Sequence, residues 1–284
     1  MANGNASINH RWAIVLVAFF AATVPTSGGA IMTDSVQIHA ATDPSQPPHL
    51  IYMFPGVEGG PFIMQWAVKG LRKGGVTGEI RVHRWRRLFG LVTNLISYQD
   101  NRRMAAEIAG KIAGKIAVFR EQNPDAIIDL VGYSGGGGLA IMVAEALPED
   151  IRIRNLIMCQ PALSPDYNLT TAITRVEGRM INMHSRLDWA ILGLGTMCLG
   201  TIDRKYVCSA GKSGFDATRA ISDEALRERF VQCDWKPVDA KLWHFGMHLG
   251  MLTSHWNRSR VAPCLRTELP SDFNPCDRIK RATN

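Results

Sequence analysis

Ile127-Ile128-Asp129-Leu130-Val131-Gly132-Tyr133-Ser134-Gly135-Gly136-Gly137-Gly138 is the stretch on which the fold turns. An apolar strand runs straight into Gly-x-Ser-x-Gly, and the apolar segment from Leu139 to Leu147 follows at once. Strand, sharp turn and buried helix in that order are the sequence form of a nucleophile elbow, which pushes a serine out of a sheet to where a small molecule can reach it. Glycine is needed on both sides because the turn is strained and the helix lies close to the strand. The five-residue pattern alone is weak; the strand before it and the helix after it give it weight. The P-loop lysine and the spaced glycines of a dinucleotide fingerprint are both missing, which argues against a phosphate-cradling turn.

Outward from the elbow, strands and helices alternate, which predicts an α/β domain with a mostly parallel sheet covered on both faces. Upstream, Leu50 to Phe54 reads as a buried strand, Phe62 to Lys73 as a helix with Ile63, Trp66, Ala67 and Leu71 on one side, and Glu79 to His83 as a strand. Tyr98 to Arg120 reads as an amphipathic helix, with Met104, Ile108, Ile112 and Ile116 recurring every four residues. Gly110 and Gly114 share that spacing and cost helix propensity, so close packing against the sheet is expected to offset them. Ala126 to Val131 feeds the elbow. Downstream, Ile153 to Met158, Arg179 to Met183 and Phe230 to Cys233 read as strands, and Leu249 to Val261 as a last helix.

The chain has 284 residues, 46% apolar and 20% charged, which suits one globular domain with a sizeable core. The formal charge is +7, with clusters at Arg84-Trp85-Arg86-Arg87 and Arg278-Ile279-Lys280-Arg281. No nucleic-acid motif accompanies that charge, so it reads as a solvated face and no nucleic-acid partner is expected. Arg11 precedes the apolar run Trp12 to Val24, and Pro25 and small residues follow. Residues 1–30 thus read as a signal peptide or an N-terminal membrane anchor, with Pro25 and the glycine pair favouring cleavage. Residues 31–284 then form a single exported domain (periplasmic or secreted) with a cysteine-containing C-terminal tail. Six cysteines, Cys159, Cys198, Cys208, Cys233, Cys264 and Cys276, allow fifteen pairings; the short-range pairs Cys198–Cys208 and Cys264–Cys276 are the expectation.

A serine hydroxyl is a poor nucleophile until a base takes its proton, and that base is oriented by an acid. In the order that accompanies this elbow both lie downstream. Asp188 follows the strand Arg179 to Met183 and precedes an apolar segment, so its carboxylate falls at the crest of the sheet. Asp203 and Asp216 follow no clear strand. Trp243-His244-Phe245-Gly246-Met247-His248 offers His248 as the base and His244 as its alternative, with His255 set inside the last helix. His244 and His248 also have the spacing of a metal pair on a helix, but no Glu follows His244 as in a zinc-protease motif, and no metal or other cofactor is expected. The oxyanion donors expected are the N–H of Gly135 and, from the loop Phe54-Pro55-Gly56-Val57-Glu58-Gly59-Gly60, the N–H of Val57.

In these parts the chain resembles the α/β-hydrolase fold family: Pro55-Gly56-Val57 after the first core strand, the Ser134 elbow, Asp188 after a later strand and His248 before the last helix. The resemblance covers roughly residues 50–266. It implies a mostly parallel sheet, here trimmed of leading strands at one edge, with a small cap or none, for which 161–176 is the candidate. It also implies a serine esterase or lipase type of chemistry through Ser134, His248 and Asp188 on a small-molecule or lipid acyl substrate. A catalytically inactive binding protein, a thioesterase, an amidase or a peptidase would share the same features.

Overall fold

The computed structural model describes residues 35–38, 46–56, 61–83, 98–266 and 276. The N-terminal segment 1–30, the basic clusters at 84–87 and 278–281, and Val57 lie outside the described residues.

Seven strands among them form one sheet: β1 (Ser35–Ile38), β2 (His49–Phe54), β3 (Glu79–His83), β4 (Ile127–Tyr133), β5 (Asn155–Cys159), β6 (Met180–His184) and β7 (Phe230–Asp234). Their spatial order is β1-β3-β2-β4-β5-β6-β7. β1 pairs antiparallel with β3, and every other neighbouring pair is parallel. One antiparallel strand therefore leads into the sheet ahead of β2.

Both faces are covered because the strand side chains alternate between two cores. Leu50, Tyr52 and Phe54 of β2 join one core with helices α2 (Tyr98–Gln122) and α3 (Gly135–Glu145). Ile51 and Met53 join the other with α1 (Pro61–Lys73) and the C-terminal turns. Asp129 is the one acid within β4 and is fully buried. Burial pushes its carboxyl up, but His49 at 2.7 Å and Arg154 outweigh that and hold it below the usual range. No helix among the described residues is long and apolar enough to cross a membrane.

The structure corrects several expectations. Among the described side chains of α1 the buried hydrophobic ones are Met64, Ala67, Val68 and Leu71, and Trp66 is 67% exposed. The buried set follows i, i+3, i+4, i+7, and Trp66 lies about 100° around the helix from Ala67. Gly110 and Gly114 face solvent, and a Cβ at either would meet nothing within 4 Å, so no close packing offsets them. The stretch 161–176 is no cap: Leu163, Leu169, Ala172, Ile173 and Val176 are all fully buried in the core. The segment after Asp188 instead reaches the start of α3, where Ile202 lies against Gly138.

The last helix is not continuous. His248–Leu252 is a 3-10 turn, Ser254–Trp256 is α-helical, Asn257–Val261 has π geometry and Ala262–Leu265 is again 3-10. Asn257 explains the break, because its amide donates to the carbonyls of Met251 and Thr253 in the turn before it, and Pro263 cannot donate onward. Neither expected cysteine pair forms. Cys233 of β7 bonds to Cys276, while Cys159, Cys198, Cys208 and Cys264 are free thiols. Cys264 is buried against the sheet, so it is inaccessible to a partner from the tail.

Candidate active site

The strand order reverses at β2 and β4, since β3 lies on one side of β2 and all later strands follow on the other. A crevice opens at the C-terminal ends of such a strand pair. Ser134 stands there, directly after β4, with φ 54° and ψ −123°. That conformation is costly for a residue with a Cβ, of order 1–3 kcal/mol, and it persists only where the surroundings hold it. Here the Ser134 N–H donates to the Cys159 carbonyl at 3.0 Å, and its own carbonyl accepts from Gly137 at 2.9 Å and Ala162 at 3.1 Å.

The flanking glycines are required by contact. A Cβ on Gly132 would lie 2.3 Å from the Gly136 carbonyl oxygen, and one on Gly136 would lie 2.1 Å from that of Phe54. The second contact also fixes the end of β2 against the elbow. Tyr133 anchors the turn from the other side, its buried hydroxyl donating to Asn257 Oδ1 at 2.5 Å.

His248 opens the 3-10 turn His248–Leu252, and its Nε2 lies 2.9 Å from Ser134 Oγ. Its Nδ1 lies 2.6 Å from Asp188 Oδ2. A carboxylate can only accept, so Nδ1 carries the proton and Nε2 is left to accept from the serine hydroxyl. All three side chains are buried: Asp188 is fully so, and Ser134 and His248 nearly so. The loops that carry Asp188 and His248 are tied to each other, because Ser185 Oγ donates to the Gly246 carbonyl at 2.7 Å. Leu187 also lies close enough to Gly246 that a Cβ there would meet it at 2.6 Å.

The other candidates lie elsewhere. His244 is buried, its Nδ1 accepts from the Gly246 N–H at 3.1 Å, and its ring stands edge-on to Trp256 at 5.1 Å. Burial pushes its pKa down from 6.5 to about 4, so it is neutral near pH 7. It lies in a loop and shares no helix face with His248, and no metal-holding group of three or more His, Cys, Asp or Glu occurs among the described residues. His255 is exposed and stacks on Trp243 with centroids 6.4 Å apart. Asp203 accepts from the Ser164 N–H at 2.9 Å, and Asp216 caps the turn Ala217–Ala220. Gly135 is the first residue of α3, where a helix leaves its amides without intrahelical acceptors.

Sequence reasoning missed Gln160. It follows β5 directly, is almost fully buried, and its Nε2 donates to Asp188 Oδ2 at 2.9 Å. One carboxylate oxygen thus receives both the His248 imidazole and the Gln160 amide. Gln160 sits at φ 47°, held by a 2.7 Å bond from its N–H to the Met183 carbonyl. The only signal in the sequence is its position one residue past a strand, at the crest where the crevice opens.

No protein-family model and no curated protein matches the chain. Solved structures do. A type II thioesterase of the yersiniabactin biosynthetic pathway is 15% identical over 48% of this chain and 50% of its own, with a TM-score of 0.34. Aspergillus fumigatus lipase B is 12% identical over 83% of this chain and 57% of its own, with a TM-score of 0.49. The Pyrococcus horikoshii acylaminoacyl peptidase is 12% identical over 85% of this chain and 41% of its own, with a TM-score of 0.50. The chain spans about half the length of these structures. A parallel sheet that reverses its order beside the elbow strand, together with the superposition of the peptidase over 85% of the residues, shows what architecture this is: the protein has the α/β-hydrolase fold.

Proposed function

We propose that the protein is a serine hydrolase of acyl esters, with Ser134 as nucleophile, His248 as general base and Asp188 as the acid that orients it. The observation that carries this reading is the hydrogen-bonded chain Ser134 Oγ to His248 Nε2 and His248 Nδ1 to Asp188 Oδ2, at 2.9 and 2.6 Å. Ser134 Oγ attacks the acyl carbonyl carbon as its proton passes to His248 Nε2. The N–H groups of Gly135 and Val57 are the proposed donors to the oxyanion. The carbon–oxygen bond to the leaving alcohol then breaks, and His248 returns the proton to that oxygen. Water, deprotonated by the same Nε2, releases the acid and restores the serine. Gln160 holds the second lone pair of Asp188 Oδ2 and so fixes the carboxylate plane.

The Cys233–Cys276 disulfide supports the further reading that the domain is exported, since such bonds persist in oxidising compartments. The test is Ser134→Ala assayed on a soluble short-chain ester. Turnover should fall by at least ~10⁴-fold with the unfolding transition unchanged. A fluorophosphonate should label the parent at Ser134 and leave the variant untouched. Unchanged turnover in the variant refutes the assignment, and a parent that neither turns over nor labels is an inactive binding protein of the same fold.

A further inference from the structure

The side chains that flank the candidate acid and base face outward and are apolar. Leu187 and Trp189 bracket Asp188; Trp243, Phe245, Met247 and Leu249 bracket His244 and His248. Each of the six is between 41% and 63% exposed. Single exposed apolar side chains are ordinary, but a contiguous group is not. The two groups adjoin where Leu187 lies against Gly246, between Phe245 and Met247, and where Ser185 bonds to the Gly246 carbonyl.

The exposed charged side chains on the same loops are all cations. Segments 186–208 and 236–258 contain three acids, Asp188, Asp203 and Asp239. Asp188 is buried with His248, Asp239 is buried with Arg260 at 2.6 Å, and Asp203 accepts from Ser164. The exposed cations Lys236, Lys241 and Arg258 belong to these segments. At the margin Arg186 pairs with Asp234 at 3.3 Å and Lys205 with Asp166 at 2.6 Å. The loops that form the rim therefore carry exposed aromatic and aliphatic side chains together with exposed cations.

We propose that this rim docks on an anionic lipid surface and sets the mouth of the Ser134 site against it. Indole and phenyl rings with lysine and arginine beside them suit the boundary between headgroups and acyl chains, where apolar surface is buried and cations meet lipid phosphates. A second copy of the chain fits less well, because a two-fold contact brings Lys236, Lys241 and Arg258 of both copies together. The consequence that the substrate is an amphiphile drawn from that surface rests on the serine-hydrolase reading; the docking itself does not.

The test uses the full chain with Ser134→Ala, so that binding is read without turnover. Cosedimentation is compared on vesicles of phosphatidylcholine alone and with one-third phosphatidylglycerol. The chain should prefer the anionic vesicles. Trp189→Ser with Phe245→Ser should weaken that binding by at least ~ten-fold. Lys241→Gln should weaken it about five-fold on anionic vesicles only. Circular dichroism and the unfolding midpoint confirm that each variant is folded.

Equal binding of parent and rim variants overturns the proposal, since the apolar N-terminal run then accounts for partitioning. It is also overturned if the parent shows no preference for anionic vesicles and light scattering gives a dimer that the rim variants dissociate. If the rim variants lose vesicle binding while the Ser134-intact chain turns over no soluble ester, the docking stands and the catalytic reading fails.

Discussion

Two histidines four residues apart have opposite surroundings. His248 is held between a hydroxyl and a carboxylate, whereas His244 is buried edge-on against Trp256 with its Nδ1 committed to the Gly246 N–H. Burial lowers the His244 pKa to about 4, below the 6.5 of an unfolded histidine. Between those values the unfolded chain binds a proton that the folded chain refuses, so His244 favours folding fully above about pH 6.5. That contribution is lost as pH falls toward 4 and amounts to up to ~3 kcal/mol. Denaturant titrations at pH 7 and 4.5 check this: His244→Phe should flatten the loss seen in the parent, and an equal loss in both refutes it. At this scale Ser134 was legible because close packing writes glycine into the positions around it. The sequence also ranks His248 ahead of His244, by its place before the last helix, but it hides that His244 is itself buried and committed to the Gly246 N–H. Gln160 left no pattern, since it meets Asp188 only through the pairing of β5 with β6.

At the scale of the element, glycines that look alike in sequence differ in what surrounds them. In α2, Gly110 and Gly114 have open space where a Cβ would stand, so each costs helix propensity without return. Gly110→Ala and Gly114→Ala should each stabilise the fold by about 0.5–1 kcal/mol, and nearly additively, by thermal or denaturant unfolding. Gly136→Ala should do the reverse, because its Cβ would run into the backbone carbonyls of Phe54 and Pro55 at 2.1 and 2.4 Å. Neither sign follows from propensity alone. The regular elements were legible because hydrophobic period registers one buried face: β3 matches its expected bounds, and α1 and α2 lie within two residues of theirs. The last helix escaped because side-chain bonds from Asn257, which carry no period, decide its geometry. The same limit hid Trp66, whose apolar character says nothing about which side of α1 it occupies.

At the scale of the molecule, the alternation of strands and helices was enough for the parallel sheet, and the elbow was enough for its crevice. The covalent tie was not legible, because Cys233 and Cys276 are 43 residues apart and meet only once β7 has taken its place in the sheet. Closing a loop of that length removes conformational freedom worth about 4 kcal/mol from the unfolded chain. Cys276→Ser should therefore lower stability by roughly that amount, less any relaxation, in chemical unfolding under oxidising conditions.

The tie has a second effect. β7 is the last strand of the sheet, so one side of it has no neighbouring strand among those described. Cys276 Sγ lies 3.4 Å from the Gln232 carbonyl, against that strand. A bare strand edge is a template on which other chains can polymerise, and Cys276, bonded to Cys233 and set beside Gln232, stands against that strand as a guard. The disulfide thus makes the colloidal fate of the protein depend on its redox history: a reduced sample is expected to lose solubility on standing before it loses its fold.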